Sequence, residues 1–367
     1  MHSSLLQATA GRNLALFVQL QVSYGDSRRM RALSALPALA LAMLVISCSS
    51  KSDGYKDGAR WVVPNAISVD WESRFEDTDT LLTAPAKIAS TARIVAVLDM
   101  GARRVVGFDR STGRHAWTYA KNGSGPTEIK DPADIGVGPD GAIYVIDGAN
   151  GKVVWLDGDG HFVRESPNTE IASVRSSCMM QDRRMLAFQL SMGRPIVLVA
   201  ADGRRIEASK VPWSSEAPMS APMSPDAGAL LTELVRTNQG VFGGDGRKLC
   251  AYAGQTSNGL ALFSDGVLRW TRSTQVKVPD DSLRASSISS ISAGVRGDAV
   301  LVATIGIGES RGRYIDAYTV NDGTYLKTWK TPSKMSWVSF DSAGLVALRV
   351  TASGAVISSW RLNDSSR

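Results

Sequence analysis

Histidine and carboxylate side chains are the groups that most often bind catalytic metals in proteins. The chain has three histidines, His2, His115 and His161. His115 stands two residues after a glycine and His161 one residue after a glycine, so each begins the segment that follows a turn. No other histidine, cysteine or glutamate cluster has the spacing of metal ligands. The sequence therefore predicts no metal site and assigns no catalytic residue.

Two aspartates occupy equivalent places in a repeated stretch and are candidates for a pair of acids. The segment Val97-Leu98-Asp99 recurs 48 residues later as Val145-Ile146-Asp147. Each aspartate ends an apolar run. A basic residue follows each of them, Arg104 in the first copy and Lys152 in the second.

Cys178 and Cys250 could form a disulfide, since the chain has the features of an exported protein described below. A disulfide needs close α-carbons and converging side chains, which a sequence does not show. Cysteine in an apolar strand behaves as a small hydrophobic residue. We therefore expect two separate buried thiols.

The repeat of 48 residues indicates a repeat architecture, in which short hairpins should recur at regular spacing. Turn signals occur twice in each repeat, and glycine is suited to them because tight hairpin turns require a positive φ. The first set of turns lies at Gly141, Asp182-Arg183, Gly246, Gly297 and Gly344, and the second at Gly113, Gly160, Gly203, Gly266 and Gly323. Short, almost continuous apolar runs separate them, as in sheets that are covered on both faces.

This pattern predicts an all-β protein, a six-bladed β-propeller of four-stranded antiparallel blades. Strands a to d run outward from the axis, with the first set of turns joining a to b and the second joining c to d. The last segment supplies three strands, Trp337 to Phe340, Leu345 to Val350 and Ala355 to Trp360. We expect the N-terminal strand over residues 67–71 to supply the fourth and close the ring. His115 and His161 then begin outermost strands, which favours surface roles over metal binding.

Residues 122–165 resemble an NHL-type repeat of six-bladed propellers in the motifs Asp131-Pro132-Ala133-Asp134, Pro139-Asp140-Gly141 and Asp159-Gly160. In such blades the aspartate that ends strand b braces the next turn. The resemblance thus implies structural roles for Asp99 and Asp147, with Arg104 and Lys152 as partners. NHL-like propellers include lyases and lactonase relatives with a metal in the central funnel, which makes a metal-dependent enzyme the first alternative function. Tryptophan-bearing segments, 112–117 and 265–270, resemble repeats of eight-bladed lipoproteins that assist outer-membrane barrel assembly, although the length favours six or seven blades.

A basic rim is the best candidate for a binding surface. The b-to-c loops and the connections between blades share one face of a propeller, and basic side chains there suit carboxylates or phosphates of a partner. The equally acceptable interpretation is that they are solvated turn residues. The connection between blades 3 and 4 is longer than the others, an inserted loop at 211–232 that contains Trp213, and we expect it to overhang the ligand face. The candidate ligand-face residues are Arg103, Arg104, Lys152, Arg194, Trp213, Arg311 and Arg313.

The N-terminal region has the pattern of an export signal. Residues 32–47 are apolar, shorter than the ~20 residues of a membrane-spanning helix, and follow Arg28, Arg29 and Arg31. Val45-Ile46-Ser47-Cys48 resembles the lipobox of bacterial lipoproteins, which implies cleavage before Cys48 and diacylglycerol and N-acyl chains on that residue. Ser49 follows, and without Asp there the resemblance implies the outer membrane of a diderm bacterium.

The predicted organisation has four parts. Residues 1–29 are a dispensable upstream segment, with Met30 as a possible true start, and residues 30–47 are the signal peptide. Residues 48–60 are a lipidated flexible tether, polar and glycine-bearing, and residues 61–362 are the propeller.

The charge of the chain gives no reason to expect a nucleic-acid partner. The net charge is +6, of which residues 1–47 contribute +3, and the remainder is dispersed. The sequence thus favours a protein- or peptide-binding scaffold in the cell envelope, held to the membrane by its lipid anchor and on either the periplasmic or the surface face. No other cofactor is expected. A carbohydrate-binding propeller is the second alternative, although Trp213 alone supplies the exposed aromatic surface that it would need.

Overall fold

The computed structural model describes residues 55–57, 59–76, 78–189, 195–209, 239–255, 257–275, 290–304 and 312–363. Three strands precede the first blade: β1 (Tyr55–Asp57), β2 (Arg60–Val63) and β3 (Ile67–Glu76). One short 3-10 helix, Thr169–Ile171, lies between blades 2 and 3. Within the described ranges, no helix has the length and hydrophobicity to cross a membrane.

Six four-stranded antiparallel blades follow, and in the first five the strands a to d are in sequence order. Blade 1 contains β4 (Pro85–Ser90), β5 (Ile94–Asp99), β6 (Arg104–Asp109) and β7 (His115–Tyr119). Blade 2 contains β8 (Pro132–Val137), β9 (Ile143–Asp147), β10 (Lys152–Leu156) and β11 (Phe162–Pro167). Blade 3 contains β12 (Val174–Met179), β13 (Met185–Gln189), β14 (Ile196–Val199) and β15 (Arg205–Ser209).

The second half of the ring has the same organisation. Blade 4 contains β16 (Gly240–Gly244), β17 (Leu249–Gly254), β18 (Gly259–Ser264) and β19 (Val267–Ser273). Blade 5 contains β20 (Ser290–Arg296), β21 (Ala299–Thr304), β22 (Tyr314–Thr319) and β23 (Tyr325–Lys330). Blade 6 contains β24 (Trp337–Phe340), β25 (Leu345–Thr351) and β26 (Gly354–Leu362), with β3 as its outer strand.

The ring closes through strands from the two ends of the propeller, as predicted. Strand β3 pairs antiparallel with β26 from Ile67↔Leu362 to Glu76↔Gly354, and it is longer than the predicted strand over 67–71. Strand β24 packs beside β4, which completes the circle of inner strands. The prediction of six four-stranded blades closed by an N-terminal strand is confirmed.

Among the described residues, the hydrophobic core forms six clusters, each shared by two neighbouring blades. One cluster joins Leu98 and Val105 of blade 1 to Val145 and Val154 of blade 2, and the last joins Val97 to Ile357 across the closure. Because every blade packs on both faces, strands such as β5 and β9 are buried at every position. This accounts for the almost continuous apolar runs in the sequence.

The predicted turns have the backbone conformation that selects glycine. All nine predicted turn glycines and Arg183 have positive φ. In an antiparallel meander the a-to-b and c-to-d turns lie at the same end of each blade. We call that side of the ring the a–b face and the opposite side, with the b-to-c turns, the b–c face.

Residues 55–63 form a hairpin on the outer edge of blade 5. Strand β1 pairs with β2, and β2 adds in parallel to β23 through Val62↔Thr328 and Val63↔Trp329. The Arg60 guanidinium donates to both carboxylate oxygens of Asp316, at 2.9 and 3.0 Å. The predicted flexible tether over 48–60 therefore differs from the structure at its end, because residues 55–57 and Arg60 belong to strands held by these contacts. Residues 48–54 lie outside the described part of the chain.

Tryptophans on outer strands connect adjacent blades. The indole N–H groups of Trp71, Trp117 and Trp270 donate to the carbonyls of Arg110, Gly158 and Val320, at 2.8, 3.0 and 2.8 Å. Each acceptor lies at the c-to-d turn of the next blade, where a glycine leaves room for the ring. This inter-blade contact accounts for the tryptophan-bearing segments noted in the sequence.

We expect Gly160→Ala to destabilise the protein more than Gly141→Ala. Both glycines have similar φ values, 79° and 78°, so both alanines have the same backbone strain of about 1–2 kcal/mol. A Cβ at residue 160 would overlap the Trp117 indole, whereas a Cβ at residue 141 has no atom within 4 Å. The overlap should add about 1–3 kcal/mol to the loss of unfolding free energy, as measured by urea unfolding. Equal losses for the two variants would contradict the tryptophan contact.

Candidate functional site

A cavity of about 540 Å³ lies on the propeller axis. Residues of all six blades line it, chiefly the second halves of the inner strands and the a-to-b turns. It therefore opens on the a–b face. Its volume is within the range of ligand pockets, ~300–1,000 Å³.

A buried ion pair spans the inner strands on the side of the cavity away from its mouth. The Lys87 ammonium lies 2.7 Å from a carboxylate oxygen of Asp134, and the two side chains are 12% and 4% exposed. The ammonium also donates to the carbonyls of Ala133, at 3.0 Å, and Arg175. It lies 5.3 Å from the centre of the Trp337 ring. The Lys87 side chain of blade 1 thus contacts blades 2, 3 and 6.

The same carboxylate belongs to a polar chain on the cavity wall. The Ser177 hydroxyl donates to Asp134 at 2.5 Å and is 3.0 Å from the Tyr144 hydroxyl. Burial, together with the negative charge of Asp134, raises the pKa of Tyr144 above its ordinary value. In the described residues, Ser177 faces a compensated carboxylate and a neutral phenol rather than an imidazole base, an arrangement suited to binding or bracing.

Serines at equivalent positions connect the inner strands of blades 3 and 4, blades 5 and 6, and blades 6 and 1. Ser176 accepts the backbone N–H of Phe242, Ser292 that of Val338, and Ser339 that of Ser90, at 2.8, 2.9 and 2.9 Å. In each pair the hydroxyl satisfies an inner-edge donor of the next blade, which would otherwise need water or a ligand. In blades 3, 5 and 6 the third residue of the inner strand therefore faces the adjacent blade.

β-Bulges set this orientation in four blades. The register shifts occur between Pro85 and Lys87, Pro132 and Asp134, Val174 and Ser176, and Ser290 and Ser292. A bulge re-aims the side chain that follows it. Lys87 and Asp134 reach each other because each follows such a bulge.

A second buried ion pair connects blades 1 and 6 at the rim. Arg110 Nε lies 3.0 Å from a carboxylate oxygen of Asp341, with side chains 6% and 5% exposed. The same guanidinium donates to Ser359, and Asp341 also accepts the Ser90 hydroxyl at 2.6 Å. These contacts lie where the first and last blades meet and reinforce the closure.

Two arginines at the cavity mouth differ from these paired groups. Arg247 lies in the a-to-b turn of blade 4, Arg296 ends β20 directly before the a-to-b turn of blade 5, and both line the cavity. Neither guanidinium has a hydrogen-bond or ion-pair partner among the described residues. The nearby Asp245 carboxylate accepts the backbone N–H groups of its own turn instead, from residues 247, 248 and 249 at 2.8–3.0 Å.

The predicted ligand-face residues are not brought together at this cavity. Arg104 pairs with Asp99 at 3.0 Å, and Lys152 donates to Glu165 at 2.9 Å and to the Gly125 carbonyl at 2.8 Å. These contacts commit both side chains to the b–c face of their own blades. Arg103 is exposed at a b-to-c turn, and Arg313 is partly buried. Arg194, Trp213, Arg311, Cys48 and the inserted loop at 211–232 lie outside the described residues.

Asp99 and Asp147 have the structural role implied by the NHL resemblance. Asp99 is fully buried and accepts the backbone N–H groups of Thr83 and Ala84 at 3.0 and 2.8 Å. Burial acts to raise its pKa, but these bonds and Arg104 outweigh it and hold the pKa below its ordinary value.

Asp147 accepts the backbone N–H groups of residues 130 and 131 at 2.9 and 3.0 Å, and the side chain of Asn150 at 2.7 Å. The expected Lys152 partnership is wrong, because Glu165 and a carbonyl hold that ammonium.

The two histidines lie on the surface. His115 and His161 are exposed, and each contacts a neighbour on its own hairpin, Thr118 at 2.9 Å and Asp157 at 3.3 Å. In the described parts of the chain, no three histidine, cysteine or carboxylate side chains are grouped as metal ligands would be.

Cys178 and Cys250 form a disulfide, so the expectation of two separate thiols is wrong. Their α-carbons are 5.9 Å apart, on β12 of blade 3 and β17 of blade 4. The packing of neighbouring blades brings the two cysteine side chains together, although 72 residues separate them in the sequence.

Sequence reasoning missed the axial cavity and its ion pair. Asp134 was noted only as part of a repeat motif, and Lys87 was not singled out. The one available signal was a charged residue inside an apolar inner strand, since such a residue seldom stands there unpaired.

No model of a known protein family and no curated protein sequence matches the chain. Solved structures match its fold. A protein of Bacteroides fragilis that carries the name of an exported protein is 12% identical, with a TM-score of 0.50 over 82% of this chain and 99% of that one. A catalytically inactive virginiamycin B lyase from Staphylococcus aureus, solved with quinupristin, is 15% identical, with a TM-score of 0.47 over 79% and 88% of the two chains. The WD40 repeats of RRP9 are 9% identical, with a TM-score of 0.46 over 80% and 97%. The likeness to the Bacteroides fragilis protein supports the fold alone and assigns no activity.

Proposed function

We propose that this chain is a lipid-anchored protein of the bacterial envelope whose six-bladed, NHL-type propeller binds a protein or peptide. The observation that carries binding is the axial cavity, which all six blades build and which has an open mouth on the a–b face. The described polar groups on its wall are mostly committed to contacts between blades, which makes the wall rigid. A rigid, preformed site reduces the entropy cost of binding.

Three features support a location outside the cytoplasm. The segment before Cys48 has the pattern of a lipoprotein signal, and a protein of similar fold carries the name of an exported protein. The disulfide between blades 3 and 4 would persist in an oxidising compartment. Several acyl chains on Cys48 would give stable anchoring where a single chain gives marginal binding.

Anchoring is tested by labelling cells that express the full chain with a radioactive fatty acid. We expect label on the wild-type protein and recovery of the protein with membranes. The matched variant Cys48→Ser should lose the label and become soluble while keeping the unfolding free energy of the propeller. An unlabelled wild-type protein that fractionates as a soluble protein would overturn the lipid anchor.

Binding is tested by chemical cross-linking in intact cells, followed by affinity purification and mass spectrometry. The proposal predicts that the wild type consistently captures one envelope protein. A variant in which a β-bulge, and with it the cavity, is altered should no longer capture that protein. Repeated capture of no specific protein would count against the binding module. One tightly held divalent ion per purified chain would instead favour the lyase or lactonase alternative.

A further inference from the structure

The axial cavity has an excess of uncompensated positive charge at its mouth. Among the described residues, three carboxylates line it, and those of Asp134 and Asp341 are paired with Lys87 and Arg110. The carboxylate of Asp245 accepts three backbone N–H groups of its own turn. Arg247 and Arg296 have no such compensation among the described residues.

The two arginines belong to adjacent blades and are held on fixed turns. Gly246 and Gly297 give both turns their positive φ, at 68° and 58°. The Arg247 carbonyl accepts the backbone N–H of Gln181 from the neighbouring blade, which fixes the turn against blade 3. Two guanidinium groups on one rigid wall are suited to hydrogen-bond carboxylate oxygens, each in a bidentate manner.

The rest of the wall suits a polypeptide. The inner strands are edge strands, and beyond the serine contacts their inward edges present backbone donors and acceptors toward the axis. Phe242, Phe340 and Trp337 add apolar surface to the cavity wall. A segment with main-chain amides and carboxylate side chains matches both the polar edges and the cationic mouth.

We propose that the axial cavity, entered from the a–b face, binds an acidic peptide segment whose carboxylates are held by Arg247 and Arg296. This inference rests on the proposed function, since it names the ligand class and the entry face of the same binding module. It places recognition on the face opposite the basic rim of b-to-c loops.

The test is isothermal titration calorimetry of the purified protein with a capped tri-glutamate peptide, a capped tri-glutamine peptide and inorganic phosphate. We expect the tri-glutamate peptide to bind at least about tenfold more tightly than tri-glutamine, with an affinity that falls as salt is added. Arg247→Ala/Arg296→Ala should lose at least about tenfold in affinity for tri-glutamate. Arg93→Ala is the matched control, because Arg93 is an exposed arginine of another a-to-b turn outside the cavity lining, and it should leave binding unchanged.

Several results would overturn the inference. Equal binding of tri-glutamine and tri-glutamate, no binding of either peptide, or an undiminished affinity in the double arginine variant would each do so. Phosphate that binds as tightly as tri-glutamate would show a general anion site and overturn the peptide assignment. These results can be distinguished from a failure of the proposed function. If the wild type and the double arginine variant capture an envelope partner equally, the acidic-peptide inference fails while the proposed binding module is retained.

Discussion

Reducing the Cys178–Cys250 disulfide is expected to lower the free energy of unfolding by about 4 kcal/mol. The bond closes a loop of 72 residues, and in the chain-entropy model a loop of this length restricts the unfolded chain by about that amount. The bond also joins the inner strand of blade 3 to blade 4 inside their shared core. Its loss should therefore weaken the ring between those two blades.

The measurement is urea unfolding with and without a thiol reductant, on a chain that carries Cys48→Ser so that only the buried pair responds. The matched variant Cys178→Ala/Cys250→Ala should be less stable than the oxidised protein and insensitive to reductant. An oxidised protein whose unfolding midpoint does not move on reduction would contradict the disulfide. A large effect would also make the stability of the protein depend on the redox state of its surroundings.

Lys87→Met is expected to cost about 3–5 kcal/mol of unfolding free energy. The substitution leaves the Asp134 carboxylate, which is 4% exposed, without its counter-charge. It also removes the contacts of the ammonium with blade 3 and with the Trp337 ring. Methionine retains most of the apolar stem, so the loss reports mainly on the charge and its hydrogen bonds.

The control is the double variant Lys87→Met/Asp134→Asn. Asparagine removes the buried charge and still offers an oxygen to the Ser177 hydroxyl, so a large part of the lost stability should return. A double variant no more stable than Lys87→Met would show that the charge pair is not the source of the effect. Urea unfolding measures both variants.

The fold could be predicted from the sequence because its hairpin turns are marked by local residue types. A hairpin turn with positive φ selects glycine wherever it occurs, so the turns at Gly113, Gly160 and Gly203 could be located one by one. The closing strand was predictable for a related reason, since three strands without a fourth leave an open edge. The local acid–base pair Asp99–Arg104 was also found, because its members are partners across one hairpin.

The site was not readable, because it depends on which residue of each inner strand faces the axis. A β-bulge shifts that residue by one position. Proline begins the bulges of blades 1 and 2, but valine and serine begin those of blades 3 and 5, so no single residue type marks them all. The disulfide failed for a similar reason, since the distance between two α-carbons 72 residues apart is a property of blade packing. The partner of Lys152 could not be predicted either, although the choice was between residues close to it in the sequence. Lys152 stands across the hairpin from Asp147, yet its flexible stem reaches Glu165 instead.

The pairing of β3 with β26 has a consequence for folding kinetics. Strand β3 is synthesised early and β26 late. Glu72 and Ser358, which are hydrogen-bonded across the pair, are 286 residues apart in the sequence. Contacts of such separation form slowly, so the nascent chain must carry β3 as an unpaired strand until the last blade emerges. Asp70, Glu72, Arg74 and Glu76 occupy every second position of that strand. Charges on an unpaired strand disfavour its pairing with other strand edges, so we expect this alternation to protect the chain from aggregation until the ring closes.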